Sequence, residues 1–344
     1  MTKQIKETST NFIELDKVKI DEQLSKSGKF SSDGISIKKW SLNKGAQEPS
    51  ESKDENKYLC KLEKNGFKYA GTLNNKFQRD GYGYETYSNG DQYFGKFNSD
   101  LRNDKGIYFY APEKKEGNQK YKNVLRECYF GEWMNNAIGK NGIYMWLDEP
   151  DDNIEYDFVN FEAFLGEFEE GKYLRGTYLT KSNDDYSLYH GNFNKDGQKC
   201  DNNAYFYSSK WNKILHGKIV NNTIESGYFG TLNEEEDGVK EIIYCIFNKD
   251  GSVNEIIEQN NLNEEEIEDE RKNLNNFKNI IFQDIFGKLY IKYKRIKRNM
   301  NKLDNIDKIL EDEENIVEID KILNKYSKKN IYFDIEKKFF GKEL

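Results

Sequence analysis

His190 and His216 are the chain's only two imidazoles, and an imidazole is the side chain best suited to moving protons near neutral pH. Each stands just before a glycine, in Tyr189-His190-Gly191 and Leu215-His216-Gly217. A general base also needs an oriented partner, and the sequence offers neither histidine one. Both read as strand positions in a repeated phrase. Gly81-Tyr82-Gly83 supplies two glycines of a dinucleotide-binding loop but not the third, and that fingerprint needs all three. The acidic runs Glu234–Asp237 and Glu264–Glu270 lack the alternating ligands of a calcium loop. They read as solvated charges at a turn and at a helix start. Cys60, Cys128, Cys200 and Cys245 have no paired spacing, which argues against a zinc site or a disulfide framework. They are expected to be reduced thiols packed as small core residues. No catalytic residue, metal or cofactor is expected, and the chain is read as not being an enzyme.

One segment carries a denser charge pattern. Residues 288–302, KLYIKYKRIKRNMNK, hold seven basic side chains and no acid: Lys288, Lys292, Lys294, Arg295, Lys297, Arg298 and Lys302. Tyr290 and Tyr293 are interleaved with them. On a helix these charges border an apolar stripe. Such a helix suits an acidic protein surface or an anionic lipid surface, or it can serve as the solvated face of a docked helix. All three readings stay open at this point.

The elements that must position these residues are written in a repeat. The phrase Tyr-x-Gly-x-aromatic, or a close variant, occurs as YAGTL (69–73), YFGKF (93–97), YFGEW (129–133), FLGEF (164–168) and YHGNF (189–193). LHGKI (215–219) and YFGTL (228–232) follow, 13 residues apart, so one of the two is out of step. Between them come second phrases: GYGYETY (81–87), GIYFY (106–110), GIYMW (142–146), GTYLT (176–180) and NAYFY (203–207). The first-phrase glycines from Gly71 to Gly217 are spaced 24, 36, 35, 25 and 26 residues apart. The two longer intervals leave insertions near 111–127 and 147–163, read as loops on the array. Within each phrase the period is two, the period of a strand. Asn65-Gly66, Asn89-Gly90, Asp196-Gly197 and Asp250-Gly251 are turn signals. Two strands and two turns fill one repeat, a hairpin per repeat. A strand glycine leaves a hole in the pleated surface, and a neighbouring ring can lie over it.

Residues 69–97 and their echoes up to 232 resemble MORN repeats (membrane occupation and recognition nexus). The first unit carries the family's pattern in Tyr69, Gly71, Gly81, Gly83, Tyr87 and Gly90. Tyr93, Gly95, Tyr129, Gly131, Trp133, Gly142, Gly166, Gly176, Gly191 and Gly230 continue it. The later units depart from the pattern in the first glycine of the Gly-x-Gly pair, and Asn203 replaces the second glycine in one of them. The resemblance covers a little over half the chain. It implies an elongated single-layer antiparallel β-meander. It also implies a scaffold in cytoskeletal, ciliary or axonemal assemblies, and in some members phospholipid binding.

The whole chain fits that frame. Of its 344 residues 36% are hydrophobic and 33% charged, yet 15% are aromatic, 24 of them Tyr, so rings can supply a thin core. A net charge of −8 argues against nucleic acid as a partner. The first residues contain no apolar stretch of a signal peptide, and no run nears the ~18 apolar residues of a membrane span. The expectation is therefore a mostly β protein with an α-helical C-terminal tail, in three zones. Residues 1–57 form a polar tail, disordered or partner-bound, with ISIKKW (35–40) as its anchor. Residues 58–251 form the repeat array. In residues 252–344 Asn263 and Glu266 start an amphipathic helix that runs through Phe277, Ile281, Ile285, Leu289 and Tyr293 to Leu303. A second helical stretch carries Ile316, Ile319, Leu323 and Tyr326. The expected function is a scaffold subunit of a larger intracellular assembly, cytoplasmic and cytoskeletal or ciliary. The alternative is a peripheral membrane module held to anionic phospholipid by residues 288–302.

Overall fold

The structure is a computed structural model that describes residues 13–14, 35–40, 57–64, 67–74, 76, 78–111, 113–114, 123–150, 160–182, 185–232 and 238–281, followed by 287, 289–291, 293, 294 and 297. The turn at Asn65-Gly66 and the helical stretch expected around Ile316–Tyr326 lie outside the described residues. The protein is mostly β with a small helical part. The strands are β1 (Ile13–Glu14), β2 (Ile35–Trp40), β3 (Lys57–Lys64), β4 (Phe67–Leu73), β5 (Arg79–Thr86), β6 (Gln92–Asn98), β7 (Leu101–Phe109), β8 (Glu113–Lys114) and β9 (Asn123–Met134). They continue as β10 (Ala137–Pro150), β11 (Asn160–Glu169), β12 (Lys172–Ser182), β13 (Asp185–Asn192), β14 (Asp201–Ser208), β15 (Lys213–Val220), β16 (Thr223–Leu232), β17 (Val239–Phe247) and β18 (Val253–Ile257). Helix α1 (Glu264–Ile281) follows a 3-10 turn.

The described residues fall into two compact units. One holds those up to Ala111 together with Trp133–Asn136, and the other holds those within Pro112–Glu132 and Ala137–Lys302. In the first unit, β1 to β7 pair antiparallel in chain order. In the second, β8 pairs with β9 and β10 through β18 pair antiparallel in chain order. Two zone boundaries need correction. The polar tail of 1–57 is not uniformly without structure, because Ile35–Trp40 forms β2 and pairs with β3 from Ile35↔Leu62 to Trp40↔Lys57. The apolar alternation of Ile35 and Ile37 is what makes it a strand. The sheet also continues past residue 251, where β18 pairs with β17.

Glycines line up across the strands. In the first unit the rung is Gly71↔Gly83↔Gly95↔Gly106. In the second it is Gly142↔Gly166↔Gly176↔Gly191, with Gly131 against Gly142 and Gly217↔Gly227 further on. Two residues before Gly71, Gly95, Gly131, Gly166 and Gly191, on the same face, stands a large ring, whereas Leu215 precedes Gly217. A Cβ on Gly83 would lie 2.5 Å from Cε2 of Tyr69, and one on Gly142 2.5 Å from Cε2 of Tyr129. On Gly166 it would lie 2.6 Å from Cζ of Phe164, and on Gly191 2.6 Å from the Tyr189 hydroxyl oxygen. The rings therefore fill the volume that the missing side chains leave. Tyr69, Tyr93, Tyr129, Phe164 and Tyr189 are all at most 1% exposed.

The preference for Tyr over Phe has its own cause. Each hydroxyl donates to the backbone carbonyl three residues on: Tyr69 to Thr72 (2.8 Å), Tyr93 to Lys96 (3.0 Å), Tyr129 to Glu132 (2.9 Å) and Tyr189 to Asn192 (2.6 Å). The Thr72 and Lys96 carbonyls sit where the ladder shifts register after the glycine rung, between Gly71 and Leu73 and between Gly95 and Phe97, whereas the Asn192 carbonyl also accepts the Cys200 amide (3.0 Å). A buried carbonyl freed from the ladder needs a donor. Phe164, which has no hydroxyl, instead stacks on Tyr173 at 4.1 Å.

Gly230 does not belong to the rung, which corrects its place in the repeat. On β16 the rung glycine is Gly227, opposite Gly217, and Gly230 stands three residues later, on the other face. A Cβ there would come within 3.3 Å of Cδ1 of Leu274 in α1. Thus YFGTL is the phrase out of step, and its glycine makes room first for Val239 of β17, whose Cγ1 lies nearest the added Cβ, and then for Ile214 and the helix. Asn263 caps α1 through its side-chain oxygen, which accepts the Glu265 amide (2.9 Å). Ile267, Leu274 and Phe277 are buried on one side of the helix. Phe277 packs on Tyr205 of β14 at 5.0 Å. Arg271 donates to the Val239 carbonyl (2.8 Å), and the Val239 amide donates to Asn275 (2.9 Å).

Gly142→Ala is expected to lower stability by about 1–3 kcal/mol, because the new methyl collides with the Tyr129 ring. Tyr129→Phe keeps the ring and loses the hydroxyl bond, so the expected loss is about 1 kcal/mol. Urea denaturation of both variants checks the order, and a glycine variant as stable as the wild type would refute the ring-over-glycine account.

Candidate functional site

Besides Glu170-Gly171, three two-residue turns have both residues at positive φ and carry Asp or Asn second: Ser99-Asp100, Asn135-Asn136 and Asn221-Asn222. Asp and Asn tolerate this conformation better than other non-glycine residues. The second residue of each turn clasps a basic residue of the preceding hairpin. The Asp100 amide donates to the Arg79 carbonyl (2.9 Å), and its carboxylate accepts the Arg79 amide (3.0 Å). Asn136 does the same with Arg102 (2.9 and 2.8 Å), and Asn222 with Lys199 (3.0 and 2.8 Å).

With its backbone held, each basic side chain lies over rings. The Arg79 guanidinium carbon is 5.1 Å from the Phe97 centroid and 5.9 Å from that of Tyr69. Arg102 lies 4.5 Å from Trp133, 5.0 Å from Tyr108 and 5.6 Å from Tyr93. The Lys199 ammonium is 5.4 Å from both Tyr178 and Tyr189, and 5.8 Å from Phe206. Such contacts strengthen as water is excluded. Burial holds the Lys199 ammonium below its usual pKa, while Glu162 opposes that shift. Arg79 also pairs with Glu85, whose carboxylate is fully buried and receives the Tyr87 hydroxyl. Sequence reasoning missed these clamps. Their signal was a basic residue at a strand start, followed one hairpin later by Ser-Asp or Asn-Asn.

The histidines hold strands and a helix together. His190 stands opposite Thr177, with Nδ1 2.9 Å from the threonine hydroxyl. Desolvation, helped by Arg175, pushes its pKa down to about 4. His216 lies flat against Tyr205, 4.3 Å between centroids, and its Nδ1 is 2.7 Å from Glu270 of α1. The Tyr228 hydroxyl reaches Glu266 beside it. Two members of the acidic run 264–270 therefore fasten the helix to the sheet, while the run 234–237 lies outside the described residues. Cys128 and Cys245 are buried and Cys200 is half-buried. Burial first, then Glu127, holds the Cys128 thiol well above its usual pKa. Among the described residues, no group of three His, Cys, Asp or Glu side chains converges as a metal site would require.

Of the seven basic residues proposed for the helix 288–302, the side chains of Lys294 and Lys297 are described, and those of Lys288, Lys292, Arg295, Arg298 and Lys302 are not. Gly287, Leu289–Ile291, Tyr293, Lys294 and Lys297 are helical. Leu289, Tyr290 and Tyr293 are buried, whereas Ile291 is exposed. Lys294 lies over Tyr290 at 5.2 Å and Lys297 over Tyr293 at 5.6 Å. Lys297 is close enough to Cys128 to act on its thiol. The apolar stripe of this segment thus faces protein, with the lysine stems lying along it.

Arg102→Ala is expected to lower stability by roughly 2 kcal/mol, through loss of three ring contacts and its bond to Asn136. Urea denaturation measures it, and a change below about 0.5 kcal/mol would refute the clamp. A second expectation concerns pH. The folded pKa of His190, about 4, lies below its ordinary 6.5. Between these values the unfolded chain binds a proton that the folded chain does not, so stability falls as pH drops from about 6.5 to about 4. The full loss from this group is roughly 3 kcal/mol. His190→Gln should flatten the stability–pH curve over that interval relative to the wild type, and an unchanged slope would refute the neutral buried imidazole.

The chain matches no family model and no curated protein.

Proposed function

We propose that the chain is a non-enzymatic scaffold subunit built on MORN-type repeats, arranged as an elongated single-layer meander of hairpins. The observation that carries this reading is the repeated rung. In the repeats of Tyr69, Tyr93, Tyr129 and Tyr189 a glycine, the ring that covers it and the hydroxyl bond three residues on recur in the same relation. Such a device extends a surface. Both imidazoles, and the cations Arg79, Arg102 and Lys199, are engaged in holding that surface together. A scaffold reading also suits the exposed large apolar side chains Met134 (64%) and Trp211 (61%), which stand at hairpin turns.

The partners proposed are protein subunits of a larger assembly, cytoskeletal, ciliary or axonemal, on the strength of the family resemblance. No helix among the described residues is long and apolar enough to cross a membrane. Insertion of the apolar stripe of residues 288–302 into a lipid surface would require Leu289, Tyr290 and Tyr293 to leave their packed positions. The scaffold reading predicts that the tagged full chain, purified from its native cell, arrives in a stoichiometric complex with cytoskeletal subunits. Cross-linking mass spectrometry on that complex should place the cross-links on the repeat strands and turns. A chain that purifies alone and monodisperse would overturn the assignment.

A further inference from the structure

Trp146 occupies a setting unlike that of the other rings. It lies on β10 on the same face as Tyr144, with which it packs at 4.5 Å, and Tyr173 meets it edge-on at 6.4 Å. The indole is half-exposed, as are Tyr144, Tyr173 and Tyr178 around it. Glu162 of β11 is directly opposite it. Gly131 lies against Gly142, and counting back along the two antiparallel strands places Tyr129 beside Tyr144 and Glu127 beside Trp146. Cross-strand neighbours have β-carbons roughly 5 Å apart. The indole is therefore flanked by a carboxylate from each neighbouring strand.

Both carboxylates are aimed. The Tyr144 hydroxyl donates to Oε1 of Glu127, and the Tyr178 hydroxyl donates to Oε2 of Glu162 at 2.5 Å. These bonds fix one oxygen of each. The second oxygens, Oε2 of Glu127 and Oε1 of Glu162, take no hydrogen bond among the described residues. Both carboxylates act on the Tyr173 hydroxyl, which places them around the same cluster. The nearby basic group is Lys199, whose ammonium sits over Tyr178 under the influence of Glu162. No described cation lies over Trp146 itself.

The chain shows three times what such surroundings hold. Arg79 lies over Tyr69 and Phe97 beside Glu85, Arg102 over Tyr93, Tyr108 and Trp133, and Lys199 over Tyr178, Tyr189 and Phe206. We propose that Trp146, with Glu127 and Glu162, is a docking site for an arginine side chain of a basic segment in a partner protein. The planar guanidinium stacks on the indole and donates to the two carboxylate oxygens that lack a donor. A quaternary ammonium, as in a choline headgroup or trimethyl-lysine, has a cation for the ring but no N–H for the carboxylates. A lysine satisfies the carboxylates and can lie over a ring, as Lys199 does, but it has no planar face to stack on the indole. The site adds a partner chemistry to the scaffold reading and depends on that reading only in taking the partner to be a protein.

The test uses the full chain labelled with 5-fluorotryptophan. Of its four tryptophans, the Trp146 resonance is assigned by Trp146→Phe. The probe is an acetylated Arg-Gly-Arg-Gly-Arg peptide, with the lysine and trimethyl-lysine versions and phosphocholine as comparisons. The arginine peptide is expected to shift the Trp146 resonance and to bind at least tenfold more tightly than phosphocholine or the trimethyl-lysine peptide. Glu127→Gln with Glu162→Gln keeps an acceptor for each tyrosine hydroxyl and should weaken binding at least tenfold, with the urea midpoint confirming that the fold persists. Three results would overturn the proposal: no shift at millimolar peptide, a shift unchanged in the double variant, or a preference for the quaternary ammonium. None of these touches the copurification test, so the docking site and the scaffold assignment can fail separately.

Discussion

The whole sheet depends on one close approach. A tyrosine ring laid across two neighbouring strands needs the space that two missing side chains provide. Strand glycine is ordinarily a weak choice, since it packs nothing and loses backbone entropy on folding. Here the rings recover that loss, because each is almost completely buried although the sheet is thin. At Tyr69 and Tyr93 the hydroxyl then satisfies a carbonyl that the register shift takes out of the ladder. Backbone, ring and hydroxyl are thus one solution to one steric problem, which is why they travel together along the sequence.

The second unit adds a layer that the repeats alone do not supply. One face of its strands is sealed by rings over glycines. On the other, Leu165, Leu179, Leu188, Tyr207 and Ile214 are buried, and α1 lies over β15 to β17. His216 with Glu270 and Tyr228 with Glu266 fasten the helix by polar contacts between strand and helix. The departure of Gly230 from the rung belongs to the same arrangement, since β16 presents a ring-free spot where Leu274 comes down.

Much of this was legible in the residues. The period of two, the recurrence of Tyr-x-Gly and the turn signals Asn89-Gly90, Asp196-Gly197 and Asp250-Gly251 are local, and the strands and turns follow them; the three glycines have positive φ. The capping role of Asn263 was equally plain. What escaped were relations across strands. Arg79 reads as one more surface cation until Asp100 is known to grip it from the next hairpin. Glu162 and Trp146 are 16 residues apart in sequence and adjacent in space. Gly230 followed the phrase perfectly and still broke the register, because a bulge decides which of two nearby glycines meets its neighbour. The strand at 35–40 was hidden by the polar composition around it.

The clamps also bear on how such a chain can change length. Each draws its basic residue from one hairpin and its turn from the next. Deleting or duplicating one whole repeat preserves every pairing. An insertion between a basic residue and its turn must loop out and return the strands to the same pairing, as the residues near 111–127 do between Arg102 and Asn136. Growth by whole repeats is therefore the path of least structural cost. The extra residues near 147–163 fall outside the three clamps, whereas those near 111–127 lie between Arg102 and Asn136, and that grip spans 34 residues against 21 and 23 in the other two.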